Sequence, residues 1–139
     1  MIDTNGHKRA VLYARVSTKH QETHGYRLAT QFDDMRAYAA NNGFTVVNEY
    51  QEAHTATVAF RDRPYGSQIY EAIGRGELDA VVVHELDRAA RGDMSYEMPI
   101  DFMVFWRDLQ EAHVELHSCD VGLVQDGILT MVQSWKSNQ

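Results

Sequence analysis

The hydrophobic pattern along the chain alternates between a strand period and a helix period. Ala10 to Ala14 is a compact apolar run rich in β-formers, and it predicts a buried strand over 9–16. Leu28, Phe32, Met35 and Ala39 then recur at spacings of four, three and four, which predicts a helix over 27–41. Asn42-Gly43 ends it, with Gly43 suited to the left-handed position after a helix. Phe44 to Tyr50 predicts a second strand. Residues 51–62 lack a clean period and predict a long loop. Arg63-Pro64 opens a second helix, with Asp62 as its cap and Pro64 as its first helical residue. Tyr65, Ile69, Ala72 and Ile73 give that helix an apolar face, and Gly74 and Gly76 end it.

Ala80-Val81-Val82-Val83 is apolar without alternation, which predicts a strand buried on both faces of a parallel sheet. Met98, Phe102, Phe105 and Leu109 form the stripe of a long helix over about 95–112, widened by Met103 and Trp106. Pro99 fits that helix only in its first turn. Val114 to Ser118 predicts a fourth strand. Residues 127–139 start another helix, with Ile128, Leu129, Met131, Val132 and Trp135 as its apolar positions. Strands alternating with helices define an α/β fold with a central, mainly parallel sheet of four to five strands flanked by helices. Residues 1–8 are a polar tail, and 19–24 a polar loop.

Composition narrows the picture. A chain of 139 residues with 44% hydrophobic positions is one domain with an ordinary core. Its net charge of -7 argues against binding nucleic acid through a general positive field. A nucleic-acid role needs a local basic cluster or a further region. The single cysteine, Cys119, excludes an internal disulfide, points to a reducing compartment, and reads as a small buried hydrophobe. The polar start has no apolar signal core and no stretch approaches a membrane span, so the sequence suggests a cytoplasmic protein.

The chemistry gathers at two strand ends. Arg15 breaks the first apolar run, and Ser17-Thr18 follows where the strand should stop. Carboxyl ends of strands are where open α/β sheets place their sites. After the third strand comes Leu86-Asp87-Arg88-Ala89-Ala90-Arg91. Arg88 and Arg91, three apart, share one side of a helical turn, and Asp87 can pair with Arg91 four residues on. Arg63 is a further cation. Guanidinium forks match phosphate oxygens and stabilise charge during phosphoryl transfer, and a serine among them can attack phosphorus. The plainer alternative has Ser17 as a cap and the arginines in surface ion pairs. From the residues alone both stay open. Other chemistries lack their motifs: there is no phosphate-cradling Gly-x-x-x-x-Gly-Lys, Gly74-x-Gly76 lacks a third glycine and precedes a strand, and no Cys–His zinc spacing exists. His20 and His24 are four apart, with no carboxylate or cysteine to complete a metal site.

Tyr13-Ala14-Arg15-Val16-Ser17-Thr18, followed by Leu86-Asp87-Arg88-Ala89-Ala90-Arg91, resembles the catalytic domain of the serine recombinases: the resolvases, invertases and large serine integrases. Gly76 to Val83 is also similar to the family's approach to its third strand. The long polar loop and Arg63-Pro64 look most like the large integrase and transposase branch. The resemblance covers roughly residues 9–132 and implies a resolvase-like three-layer domain.

It further implies that Ser17 is the nucleophile. Ser17 would attack a DNA phosphodiester, keep the 5′ end as a phosphoserine and free a 3′ hydroxyl. Arg15, Arg88 and Arg91 would hold the scissile phosphate, and Arg63 matches a further active-site arginine. Asp87 would transfer a proton or orient an arginine, and Gln21 and Gln31 match polar site positions. Glu52 stands at an acidic position after the second strand, although Thr55-Ala56 replaces the usual Ser-Gly. No cofactor, nucleotide or metal is implied. DNA would be held mainly by a region after this chain, and self-association would give dimers and tetramers. On this reading the domain spans 9–126, and 127–139 begins a helix that continues beyond it. A catalytically inactive DNA-binding or regulatory relative with the same fold is the rival, and a small-molecule phosphoryl enzyme is a third reading.

Overall fold

A computed structural model describes residues 6–16, 25–53, 60–84 and 98–125. The elements follow the sequence pattern closely. They are β1 (Lys8–Val16), α1 (Gly25–Asn41), β2 (Phe44–Ala53), a 3-10 turn (Phe60–Asp62), α2 (Pro64–Gly74), β3 (Ala80–Val83), α3 (Met98–Glu111), β4 (Glu115–Ser118) and β5 (Gly122–Leu123). They form one five-stranded sheet in the order β2-β1-β3-β4-β5. All neighbours are parallel except β4 and β5.

That order sets which face each helix covers. The chain moves outward from β1 to β2, then back across β1 to β3 and on to β4. Parallel crossovers are right-handed, so reversing direction puts the next helix on the opposite face. The core divides accordingly. Ala10, Leu12, Ala14, Ala80 and Val82 meet Phe32, Met35 and Ala39 of α1. Val11, Tyr13, Val81 and Val83 meet Ile69 of α2 and Phe105 and Leu109 of α3. Strand β3 is buried at all four positions, as its unbroken apolar run predicts.

The second strand runs three residues further than its composition suggests. Between Ala10 and Val11 the partner on β2 skips from Val46 to Asn48. This bulge leaves Val47 out of the register and 49% exposed. It also reverses the strand's facing. Val46 packs on the α1 side, whereas Tyr50 packs on the α2 side. The bulge thus explains why no simple alternation is visible over 44–53.

Two helix ends close with the same backbone motif. After α2, Gly76 N–H donates to Ile73 C=O and Glu77 N–H to Ala72 C=O, with Gly76 at φ 68°. After α3, His113 N–H donates to Gln110 C=O and Val114 N–H to Leu109 C=O. His113 takes the left-handed position there, at φ 59°. At the amino ends of the strands, Arg9 clamps Asp79 through its backbone N–H at 2.8 Å and its Nε at 3.2 Å. Burial alone would raise the Asp79 carboxyl, but these donors outweigh it and hold it below the usual range.

One expectation changes. The cap of α2 is not Asp62, which lies in the 3-10 turn; Arg63 occupies the N-cap position, with no side-chain cap of its own. The fifth strand falls within the expected four to five and is two residues long. It is folded back by a turn in which Ser118 Oγ donates to Asp120 Oδ1 and accepts from Val121 N–H. The expected helix over 127–139 and the loop over 19–24 lie outside the described residues.

Candidate active site

The topology reverses between β1 and β3. Tyr13 and Val83 are register partners there. Strand β1 continues to Val16, paired among the described residues with β2 beyond that point, and Arg15 is the register partner of Glu52. In sheets of this order, the crevice past the carboxyl ends of the two strands flanking the reversal takes the ligand. The chain leaves β1 for Ser17 and β3 for Asp87 from these neighbouring ends. Ser17, Gln21, Asp87, Arg88 and Arg91 themselves lie outside the described residues. Gln31 is half-buried on α1.

Beneath this edge the structure joins Tyr13, Glu52 and Arg63 in a buried network. Glu52, 1% exposed, receives three hydrogen bonds. Its Oε2 accepts from Tyr65 N–H at 2.9 Å, and its Oε1 accepts from Gly66 N–H at 3.0 Å and from the Tyr13 hydroxyl at 3.1 Å. The carboxylate therefore supplies the cap that α2 lacks locally, and its charge sits at the positive end of that helix. Arg63, with no exposed surface, donates from Nη1 to the Tyr13 oxygen at 3.2 Å. The phenol thus gives its proton to Glu52 and accepts one from Arg63, which fixes its orientation.

This arrangement determines what each group can do. Burial pushes the Tyr13 hydroxyl well above the usual range; Arg63 opposes that shift and Glu52 adds to it. Tyr13 is buried and held protonated, so it is not a nucleophile but a fixed strut between β1, β2 and α2. Arg63 has no exposed surface and reaches the end of β1 through its hydrogen bond to Tyr13. Tyr13 escapes sequence reasoning because it sits in an apolar run and reads as core. The one signal for it is that a buried phenol needs polar partners. Glu52 is legible as an acidic residue, but its link to α2 depends on the bulge at Val47.

A second contact lies at the exit of β3. His84 Nε2 meets Asp34 Oδ2 of α1 at 3.0 Å. Cys119, at the end of β4, lies in the field of Asp34 and Asp120. Burial first, and those carboxylates second, push its thiol up to about 11. Deeper on the α1 side, Tyr38 and His117 Nδ1 are 2.6 Å apart. His117 Nε2 meets Glu115 at 3.0 Å, and Glu115 receives Lys8 at 2.7 Å. No group of three or more His, Cys, Asp or Glu side chains that could hold a metal occurs among the described residues. No helix among them is long and apolar enough to cross a membrane.

The doubly wound sheet, with its reversal point between β1 and β3, defines the chain as an open α/β domain. The family model described as "Resolvase, N terminal domain" matches residues 10–132, and the chain belongs to that family. Among solved structures, the N-terminal catalytic domain of TP901-1 integrase is 22% identical, with 94% of each chain covered and a TM-score of 0.65. A resolvase family site-specific recombinase from Streptococcus pneumoniae is 26% identical over 94% of this chain and 86% of its own, with a TM-score of 0.66. The C-terminal catalytic domain of ISC1926 TnpA, an IS607-like serine recombinase, is 22% identical over 93% and 78%, with a TM-score of 0.61. No protein with a curated description matches the chain.

Proposed function

We propose that this chain is the catalytic domain of a site-specific DNA recombinase that cuts and rejoins DNA through a covalent 5′-phosphoserine on Ser17. The observation that carries the reading is the pairing of Tyr13 with Val83 at the sheet's reversal point. Ser17 lies four residues beyond one partner and Asp87 four beyond the other. The segments bearing the nucleophile and the arginine cluster therefore start side by side.

In the proposed step, Ser17 Oγ attacks the phosphorus and the P–O3′ bond breaks. The serine proton passes to a base, for which Asp87 is the candidate, and the departing 3′ oxygen takes up a proton. Arg15, Arg88 and Arg91 bind the phosphate oxygens and stabilise the charge that builds on them. Rejoining reverses the step with a new 3′ hydroxyl. The phosphoserine conserves the bond energy, so neither nucleotide nor metal is required. Arg63 and Glu52 support the edge from below through Tyr13, while Gln21 and Gln31 supply polar contacts. DNA is the partner, with self-association bringing two sites together.

The test is a gel assay for denaturation-resistant protein–DNA adducts on the recombination site, with wild type and Ser17→Ala. Wild type should accumulate adduct and the variant none, with DNA binding unchanged. Site binding without any wild-type adduct would favour a catalytically inactive relative. Adduct formation by Ser17→Ala would remove Ser17 from the role.

A further inference from the structure

The contact between His84 and Asp34 joins the exit of β3 to α1, the elements that adjoin the two segments on which the proposed reaction depends. His84 is the first residue past β3, three before Asp87. Asp34 is on α1, the helix that follows the Ser17 segment and carries Gln31. The tip of His84 reaches across, with Nε2 3.0 Å from Asp34 Oδ2. The imidazole is mostly covered, at 21% side-chain exposure, while the carboxylate is 54% exposed. Val83 just before it is fixed on both sides, by Tyr13 of β1 and by Cys119 N–H, which donates to Val83 C=O at 3.1 Å. Val83 faces the α2 side, so alternation turns His84 toward α1.

We infer that His84 and Asp34 form a positioning pair. It fixes the direction in which the chain leaves β3, and so sets the Asp87–Arg91 segment relative to α1 and the nucleophile segment. The inference rests on the proposed reaction but assigns a role to neither residue in the chemistry itself. Orientation of catalytic groups is sensitive to small displacements, so even a modest tether is felt in the rate. It predicts a specific requirement: a donor at the reach of Nε2 and an acceptor on residue 34. Glutamine places its amide N–H at that reach, whereas asparagine's shorter side chain does not.

The experiment measures the single-turnover rate of adduct formation and the DNA affinity for wild type, His84→Ala, His84→Asn, His84→Gln, Asp34→Ala and the double alanine variant. His84→Ala, His84→Asn and Asp34→Ala should each slow adduct formation by roughly three- to fivefold, the range of a partly exposed polar pair. DNA affinity should be unchanged, His84→Gln should keep the wild-type rate, and the double variant should be no slower than either single one. Single variants at the wild-type rate, or His84→Gln as slow as His84→Ala, would overturn the pair. If His84→Ala does not fold, the comparison of His84→Gln with His84→Asn decides by the same criterion. Failure of wild type itself to form adduct would count against the proposed function, a different outcome from equal rates among active variants.

Discussion

Glu52 shows how much can depend on one side chain. Three donors converge on it from two elements, and the residue itself is 1% exposed. Glu52→Ala would leave Tyr65 N–H, Gly66 N–H and the Tyr13 hydroxyl without their acceptor. The expected cost is roughly 3–5 kcal/mol, read from urea denaturation, because removing one member of a buried charged network leaves the others desolvated and unpaired. Glu52→Gln keeps an acceptor oxygen and should cost less. Equal losses for the two variants would mean that packing, not hydrogen bonding, is what matters there. Cys119 gives a prediction of the opposite kind. Its thiol is raised from 9.0 to about 11 by burial and two carboxylates, so near pH 8 it holds about a hundredfold less thiolate. Alkylation of the folded protein should be slower than that of the urea-unfolded chain by about that factor. Comparable rates would contradict the burial of this site.

At the level of elements, most of the architecture is legible in the sequence. The stripe Phe32, Met35 and Ala39 is buried on the sheet as its spacing requires, and Ala80 to Val83 is the interior strand its composition describes. What is not legible depends on contacts distant along the chain. The bulge at Val47 exists only because β1 pairs with β2, so the facing of Tyr50 and Glu52 cannot be read from β2 alone. The cap of α2 comes from a strand eleven residues before Arg63, whereas Asp62 is the local choice that capping statistics favour. Strand β5 has too few residues to carry a pattern. His113 closes α3 in a conformation that glycine adopts without strain, as Gly76 does after α2. His113→Gly should therefore stabilise the domain by about 0.5–1 kcal/mol, read as a rise in melting temperature. A fall would show that the imidazole makes a contact worth more than the backbone strain.

On the scale of the molecule, the reversal in strand order has two consequences. Among the described residues it places α1 on one face and α2 with α3 on the other, and it sets the reversal point between β1 and β3. The acidic net charge of -7 is compatible with this design, since the proposed chemistry needs a local arginine cluster and not a positive surface. The serine and the arginines stand out by motif in the sequence, and the sheet register pairs Tyr13 with Val83, from which the two motifs, seventy residues apart, continue. The buried support beneath them, Tyr13 with Glu52 and Arg63, comes only from the fold. The most direct measurement is the point of attachment to DNA. The wild-type protein would be trapped on a nicked recombination site and digested, and the nucleotide-bearing peptide sequenced by mass spectrometry. The account predicts a nucleotide joined through its 5′ phosphate to Ser17; attachment at any other residue, or cleavage with no attached peptide, would contradict it.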